Sequence, residues 1–159
     1  MPADALGRQL LALARNAIEH RLRGVPEAAA ADPALAAPGA VFVTLTQGGQ
    51  LRGCIGSLEA WRPLAEDVRE NACAAAFRDP RFPPLAADEL PRTRVEVSLL
   101  TPAEPIACRD EADALRQLQP GEDGIVLECG GRRATFLPQV WEQLPEPVRF
   151  LGQLKRKAG

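Results

Sequence analysis

The chain has 159 residues, 46% of them hydrophobic and 25% charged, with a formal net charge of −2. That length suits one domain with a true core, and the slightly acidic balance argues against a general nucleic-acid binder. No apolar run approaches a membrane span, and Arg8, Arg15 and Glu19 interrupt any basic-then-apolar leader, so a cytoplasmic location is expected.

Leu6, Leu10, Leu13, Ala14, Ile18 and Leu22 recur at helical spacing and predict a helix over residues 4–23, ended by Gly24 and Pro26. His20 falls in its polar last turn, where a cation complements the helix dipole. Residues 25–39 are rich in Ala and Pro and read as a loop without a packing pattern. Val41 to Thr46 alternates as a strand, and Gly48-Gly49 turns it into Leu51–Ile55. A two-residue loop would pair Leu45 with Arg52 and Val43 with Cys54, mixing the two faces. A three-residue loop over Gln47 to Gly49 pairs Leu45 with Leu51, Val43 with Gly53 and Val41 with Ile55. Thr44, Thr46, Arg52 and Cys54 then share the other face.

Pro63 to Phe77 reads as a helix that buries Leu64, Val68, Ala72 and Ala75, with Cys73 a buried, inert thiol. Asp79 to Pro84 holds too much proline for helix or central strand. Asp88 and Glu89 start a short helical turn ending at Pro91. Arg94–Leu99 is a strand with Val95, Val97 and Leu99 inward, closed by Thr101-Pro102. Glu104 to Ala107 is a candidate edge strand. Asp110 caps a short helix reaching Leu118. Ile125–Cys129 and Arg132–Leu137 form a hairpin on Gly130-Gly131, with Ile125 opposite Phe136, Leu127 opposite Ala134 and Glu128 opposite Arg133. Short helices follow at Leu137–Trp141 and Val148–Lys157, the last ending in basic residues that complement its dipole.

The four cysteines form no Cys-x-x-Cys pair, which argues against structural zinc, and a reducing cytosol argues against disulfides. No metal or cofactor is implied. Tyrosine is absent and His20 is the sole histidine, so phenolic acid chemistry is excluded and any Cys–His dyad must use a remote helix end. The chemistry gathers at Leu51-Arg52-Gly53-Cys54-Ile55-Gly56. Gly53 leaves Cys54 unshielded, and a cation such as Arg52 would favour its thiolate. Gly53 and Gly56 permit close approach of a backbone or ligand.

As an enzyme, the chain would use Cys54 as nucleophile, Arg52 as its activating cation and Glu96 as general base if their strands are neighbours. Arg81 would grip a carboxylate or phosphate, with Asp79 and Phe82 beside it. As a binding module, it would use Phe82 and Trp61 as anchors. RNA binding through Arg52, Arg62, Arg81 and the basic end is the third reading, poor in stacking platforms. The structural alternative pairs Arg52 with Glu96 across strands, buries Cys54 as a packing residue, and uses Asp79 and Arg81 to tie their own loop.

Val41–Leu45, Leu51–Gly56, Ala74–Pro84, Glu96–Pro102 and Phe136–Trp141, in this order and spacing, resemble the AMMECR domain, also called AmmeMemoRadiSam system protein A. The likeness spans nearly the whole chain. It implies an α+β fold, an antiparallel sheet packed with helices, with a smaller subdomain here placed within residues 80–120. It also implies association with a Memo-family protein and a radical-SAM enzyme, and names no reaction, substrate or oligomeric state.

Overall fold

The computed structural model describes residues 2–101 and 104–159. The chain divides into two compact units, Met1–Pro102 and Ala103–Gly159. The region 80–120, where the smaller subdomain is expected, is divided between them. Helices and antiparallel sheets occur in both units, an α+β organisation. No helix among the described residues is long and apolar enough to cross a membrane.

The larger unit opens with helix α1 (Pro2–Arg23), the short helix α2 (Pro33–Ala36) and the two-residue strand β1 (Pro38–Gly39). Strands β2 (Val41–Gln47) and β3 (Gln50–Gly56), the short β4 (Arg62–Pro63), helix α3 (Leu64–Phe77), a 3-10 turn at Ala87–Arg92 and strand β5 (Arg94–Leu99) complete it. The segment 25–39 is more than a loop. Asp32 caps α2 by accepting the Ala34 N–H at 2.9 Å, and Leu35 is buried in the core. One apolar leucine between prolines carries no periodicity, so only the folded core shows that it packs. Pro102, expected to close β5, lies outside the described residues.

The sheet runs β3-β2-β5, antiparallel throughout. Val41, Val43 and Leu45 point to one face and are fully buried in a core with Leu10, Leu13 and Ile18 of α1 and Val68, Ala72 and Ala75 of α3. Phe42, Thr44 and Thr46 point to the other face, called here the outer face.

The hairpin differs from the three-residue loop that the sequence suggests. Gly48 and Gly49 both have positive φ, 56° and 80°, and form a two-residue turn that pairs Gln47 with Gln50 and Thr46 with Leu51. Continued regularly, that register would turn the apolar residues of β3 the wrong way. A bulge corrects it. The register shifts between Leu45 and Thr46, leaving Arg52 as the extra residue, and from there Leu45 faces Gly53, Val43 faces Ile55 and Thr44 faces Cys54. Burial on one face thus selects a bulge rather than a longer loop.

Helix α3 carries two polar residues on its buried stripe. Asp67 is fully buried and accepts from Val41 N–H at 2.9 Å, Arg62 Nε at 2.8 Å, Ser57 Oγ at 2.6 Å and Asn71 Nδ2 at 3.1 Å. Asn71 also donates to the Val41 C=O at 3.0 Å. This cluster locks the start of β2 and the segment after β3 onto α3.

In the smaller unit, α4 (Glu111–Gln117) is capped by Asp110, as read from the sequence. Strands β6 (Ile125–Cys129) and β7 (Arg132–Phe136) pair in the expected register, Ile125 to Phe136 and Glu128 to Arg133. A 3-10 turn at Pro138–Glu142 and helix α5 (Pro147–Ala158) follow. Trp141 stacks on Phe150 at 3.7 Å between ring centroids, and both are buried with Leu118, Ile125 and Leu154. Glu104 to Ala107 forms no strand and is exposed. It has neither apolar alternation nor a partner ladder to hold it.

Removing the Asp67 carboxylate leaves Arg62 and several buried donors without their acceptor. Asp67→Ala is expected to cost about 3–5 kcal/mol, read as a large fall in the urea midpoint.

Candidate functional site

The bulge decides which groups share the site. Arg52, expected beside Cys54, is turned to the helix-covered side and is 8% exposed. There its Nε and Nη2 bond both carboxylate oxygens of Glu89, at 3.0 and 3.1 Å. Gln47 and the Ala86 N–H also donate to Glu89, at 3.3 and 2.8 Å. The guanidinium first, then the Ala86 N–H, holds the Glu89 carboxyl down to about 2. Arg52 is therefore a buried structural cation and not the neighbour that activates the thiol.

Gly53 points at α3. A Cβ there would lie 2.1 Å from the Ala75 carbonyl oxygen, so only glycine lets the strand approach this closely. Gly56 faces outward beneath the Phe42 ring, where a Cβ would meet ring carbons at 2.2–2.5 Å. Neither glycine is left open to a ligand, because the protein itself fills the space beside each.

Cys54 stands on the outer face, half-buried, with Sγ 3.4 Å from Thr44 Oγ1. Its backbone lies on the free edge of β3, and the loop after α3 occupies that edge. Cys54 N–H donates to Asp79 Oδ2 at 3.0 Å, and Arg81 Nη2 reaches the Cys54 C=O at 3.5 Å. Asp79 is 4% exposed and also accepts from Arg81 N, Nε and Nη2 at 3.1, 3.0 and 2.7 Å. The Arg81 side chain, more than its buried setting, decides the charge state of Asp79 and keeps its carboxyl far below the usual range; Asp79 in turn raises Arg81. The pair acts as a substitute strand, supplying one acceptor and one donor where a neighbouring backbone would have done so. The cation beside Cys54 is thus Arg81, 27 residues away in the chain.

Phe82 is half-buried, not exposed. Its ring lies between two guanidiniums, 5.9 Å from Arg52 and 5.5 Å from Arg81. Trp61 is 70% exposed, with Arg62 4.6 Å above its ring and Arg62 anchored on Asp67.

Glu96 shares a row with Cys54, but β2 lies between. Cys54 faces Thr44, and Thr44 faces Glu96. Two strand spacings make about 10 Å, too far for direct proton transfer. Glu96 instead pairs with Arg94 at 3.8 Å, so the cross-strand pair with Arg52 is also absent. His20 lies at the end of α1, its Nδ1 2.5 Å from the Val25 C=O. Burial pushes the Cys73 thiol up, in keeping with an inert core role. Among the described residues no His, Cys, Asp and Glu cluster is placed to hold a metal ion.

Sequence reasoning missed Glu89 and the Asp67 cluster. A signal for the second was present: Leu64, Asp67, Val68, Asn71, Ala72 and Ala75 fall on one helical stripe, so two polar residues sit among buried ones. Glu89 had only a faint signal, an acidic residue three positions after Ala86 that reaches back to its N–H.

The fold and this site define a class, an α+β protein whose glycine-flanked cysteine strand is clamped by an Asp-Pro-Arg-Phe loop. The chain belongs to the AMMECR1 family, whose sequence profile matches residues 11–159. A protein of Methanothermobacter thermautotrophicus is 44% identical over 137 residues, 84% of this chain and 71% of that one. One of Sulfolobus acidocaldarius is 38% identical over 162 residues, 97% of this chain and 71% of its own length. The crystal structure of an uncharacterised protein from Pyrococcus horikoshii aligns with a TM-score of 0.87 at 37% identity, covering 96% of this chain and 79% of that one.

Two outcomes are expected at the site. Gly53→Ala should lose about 3 kcal/mol, because a methyl group cannot coexist with the Ala75 carbonyl without moving strand or helix; urea denaturation measures it. Glu89 titrates below its unfolded value, so its pairing stabilises the fold above the ordinary glutamate pKa and fades as pH falls toward 2. Glu89→Gln should therefore lower the urea midpoint at neutral pH, with the gap to wild type narrowing in acid.

Proposed function

We propose that this chain is a recognition module, with Trp61 and the outer sheet face around Cys54 as its contact regions. One observation carries the reading: the charges near the thiol are matched within the protein. Arg52 is paired with Glu89, Arg81 with Asp79 and Glu96 with Arg94. A nucleophilic cysteine needs a base or an uncompensated cation directed at it, and these groups are spent on the fold. Trp61 supports the binding role. It is a large exposed ring restrained by Arg62, and such pre-organised aromatics dominate interface energies. The Memo-family and radical-SAM proteins implied by the family resemblance are the partners we propose.

A catalytic cleft with Cys54 as nucleophile is the second reading. It is favoured by the half-buried sulfur beside the Thr44 hydroxyl and by the nearness of Arg81.

The two readings separate in one set of measurements. Iodoacetamide labelling followed by mass spectrometry compares Cys54 with the exposed Cys108 and Cys129 in the same molecule. The module reading expects Cys54 to react no faster than either. It also expects Trp61→Ala to weaken capture of the Memo-family partner by about tenfold or more, with Cys54→Ala close to wild type. Labelling of Cys54 tenfold faster than the other two, with Trp61→Ala binding normally, would replace the module with the enzyme.

A further inference from the structure

The segment between β3 and β4, Ser57-Leu58-Glu59-Ala60-Trp61, begins and ends on one carboxylate oxygen. At its start Ser57 Oγ donates to Asp67 Oδ1 at 2.6 Å, and Ser57 N–H donates to the Val41 C=O at 3.1 Å. Just past its end Arg62 Nε donates to the same Oδ1 at 2.8 Å. Arg62 also pairs with Gly39 in the β1–β4 ladder, and Leu64 N–H donates to the Ala37 C=O at 2.9 Å. Trp61 is therefore the last residue of a short loop whose two ends meet at a single buried atom.

That atom belongs to the core and not to the loop. Asp67 has no exposed surface, and its Oδ2 accepts from the Val41 N–H of β2 and the Asn71 side chain of α3. Arg62 carries this fixity outward. A guanidinium offers an edge of N–H groups and a flat face, so one side chain can bond an anion and stack on a ring at once. Its Nε is on Asp67, and its Cζ lies 4.6 Å from the centroid of the Trp61 ring. Only 17% of the Arg62 side chain is exposed, whereas Trp61 is 70% exposed. A covered cation, held by a buried anion, is thus the neighbour that limits where an otherwise exposed indole stands.

We propose that the Ser57–Asp67–Arg62 clasp makes residues 57–62 a preformed recognition loop, and that Asp67, which touches no partner, positions Trp61 by acting through Arg62. The inference rests on the reading of this chain as a recognition module anchored by Trp61. It adds a cause for the anchor's pose, and that cause lies in the core. The structural alternative is that the clasp only joins β2, the segment after β3 and α3, and that the ring would stand the same without it. An anchor already ordered is spared the cost of ordering one large side chain on binding, which is worth about threefold to tenfold in affinity.

Two substitutions in the full chain break the relay at different links. Asp67→Asn keeps the shape and removes the charge that holds Arg62. Arg62→Lys keeps an ion pair with Asp67 but brings no flat face to the ring. Heteronuclear NMR relaxation of the indole Nε1–H groups reads the pose; the chain has two tryptophans, and Trp61→Phe tells their signals apart. The Trp61 order parameter is expected near the rigid-backbone value of about 0.85 in wild type and below about 0.6 in both variants. The Val41 amide, which donates to Asp67, should keep its exchange protection in Arg62→Lys, showing the core end of the clasp intact. If Asp67→Asn does not fold, Arg62→Lys carries the result. Capture of the Memo-family partner should weaken about threefold to tenfold in Arg62→Lys, with no further loss when Arg62→Lys is added to Trp61→Ala. A wild-type indole below about 0.6, an indole as ordered in Arg62→Lys as in wild type, or capture unchanged by Arg62→Lys while Trp61→Ala weakens it would each overturn the proposal. Normal capture by Trp61→Ala, with the indole ordered as expected, would overturn the recognition reading and with it the loop's role, leaving only the restraint of the ring.

Discussion

The larger unit depends on the contact between Gly53 and the Ala75 carbonyl. A strand and a helix meet there with no side chain between them, and the alanine-rich face of α3 allows it. The closeness leaves no room for any side chain on β3 at that point. It also requires Gly53 to lie on the helix face with Ile55, opposite Leu45 and Val43. Because the Gly48-Gly49 turn is two residues long, that requirement can be met only by an extra residue, and Arg52 is that residue. The bulge is thus a consequence of close packing at one glycine.

From the bulge follows the sorting of charge. Arg52 is carried under the hairpin to Glu89, and Cys54 is left on the outer face with a different cation, Arg81, at its backbone. The Asp-Pro-Arg-Phe loop then does two jobs with one ion pair. It seals an exposed strand edge, and it stacks Phe82 between the two arginines. Charges committed in this way hold the segment against β3. They also explain why a thiol next to an arginine in sequence does not have an arginine as its activator in space.

Much of the architecture was legible from local pattern. The β6–β7 register followed from a two-glycine turn, the facing pairs Ile125–Phe136 and Leu127–Ala134, and one pair of opposite charges. Helix α3 and the β5 alternation followed from spacing of apolar residues, and the Asp110 cap from its position before a helical run. Leu35 was not legible, since a single leucine has no period. Nor was the Arg52–Glu89 pair, whose members belong to different elements 37 residues apart.

The amino-acid sequence by itself determined the main helices and strands, the second hairpin and the presence of a glycine-flanked cysteine strand, because turn chemistry and periodicity act over a few residues. Only the tertiary structure decided which face Arg52 takes, which cation stands by Cys54, and that Glu96 lies a strand too far. Those outcomes are set by the approach of β3 to α3 and by the return of the 79–92 segment. Packing between distant parts of the chain can shift a ladder by one residue, and a shift of one residue exchanges its faces.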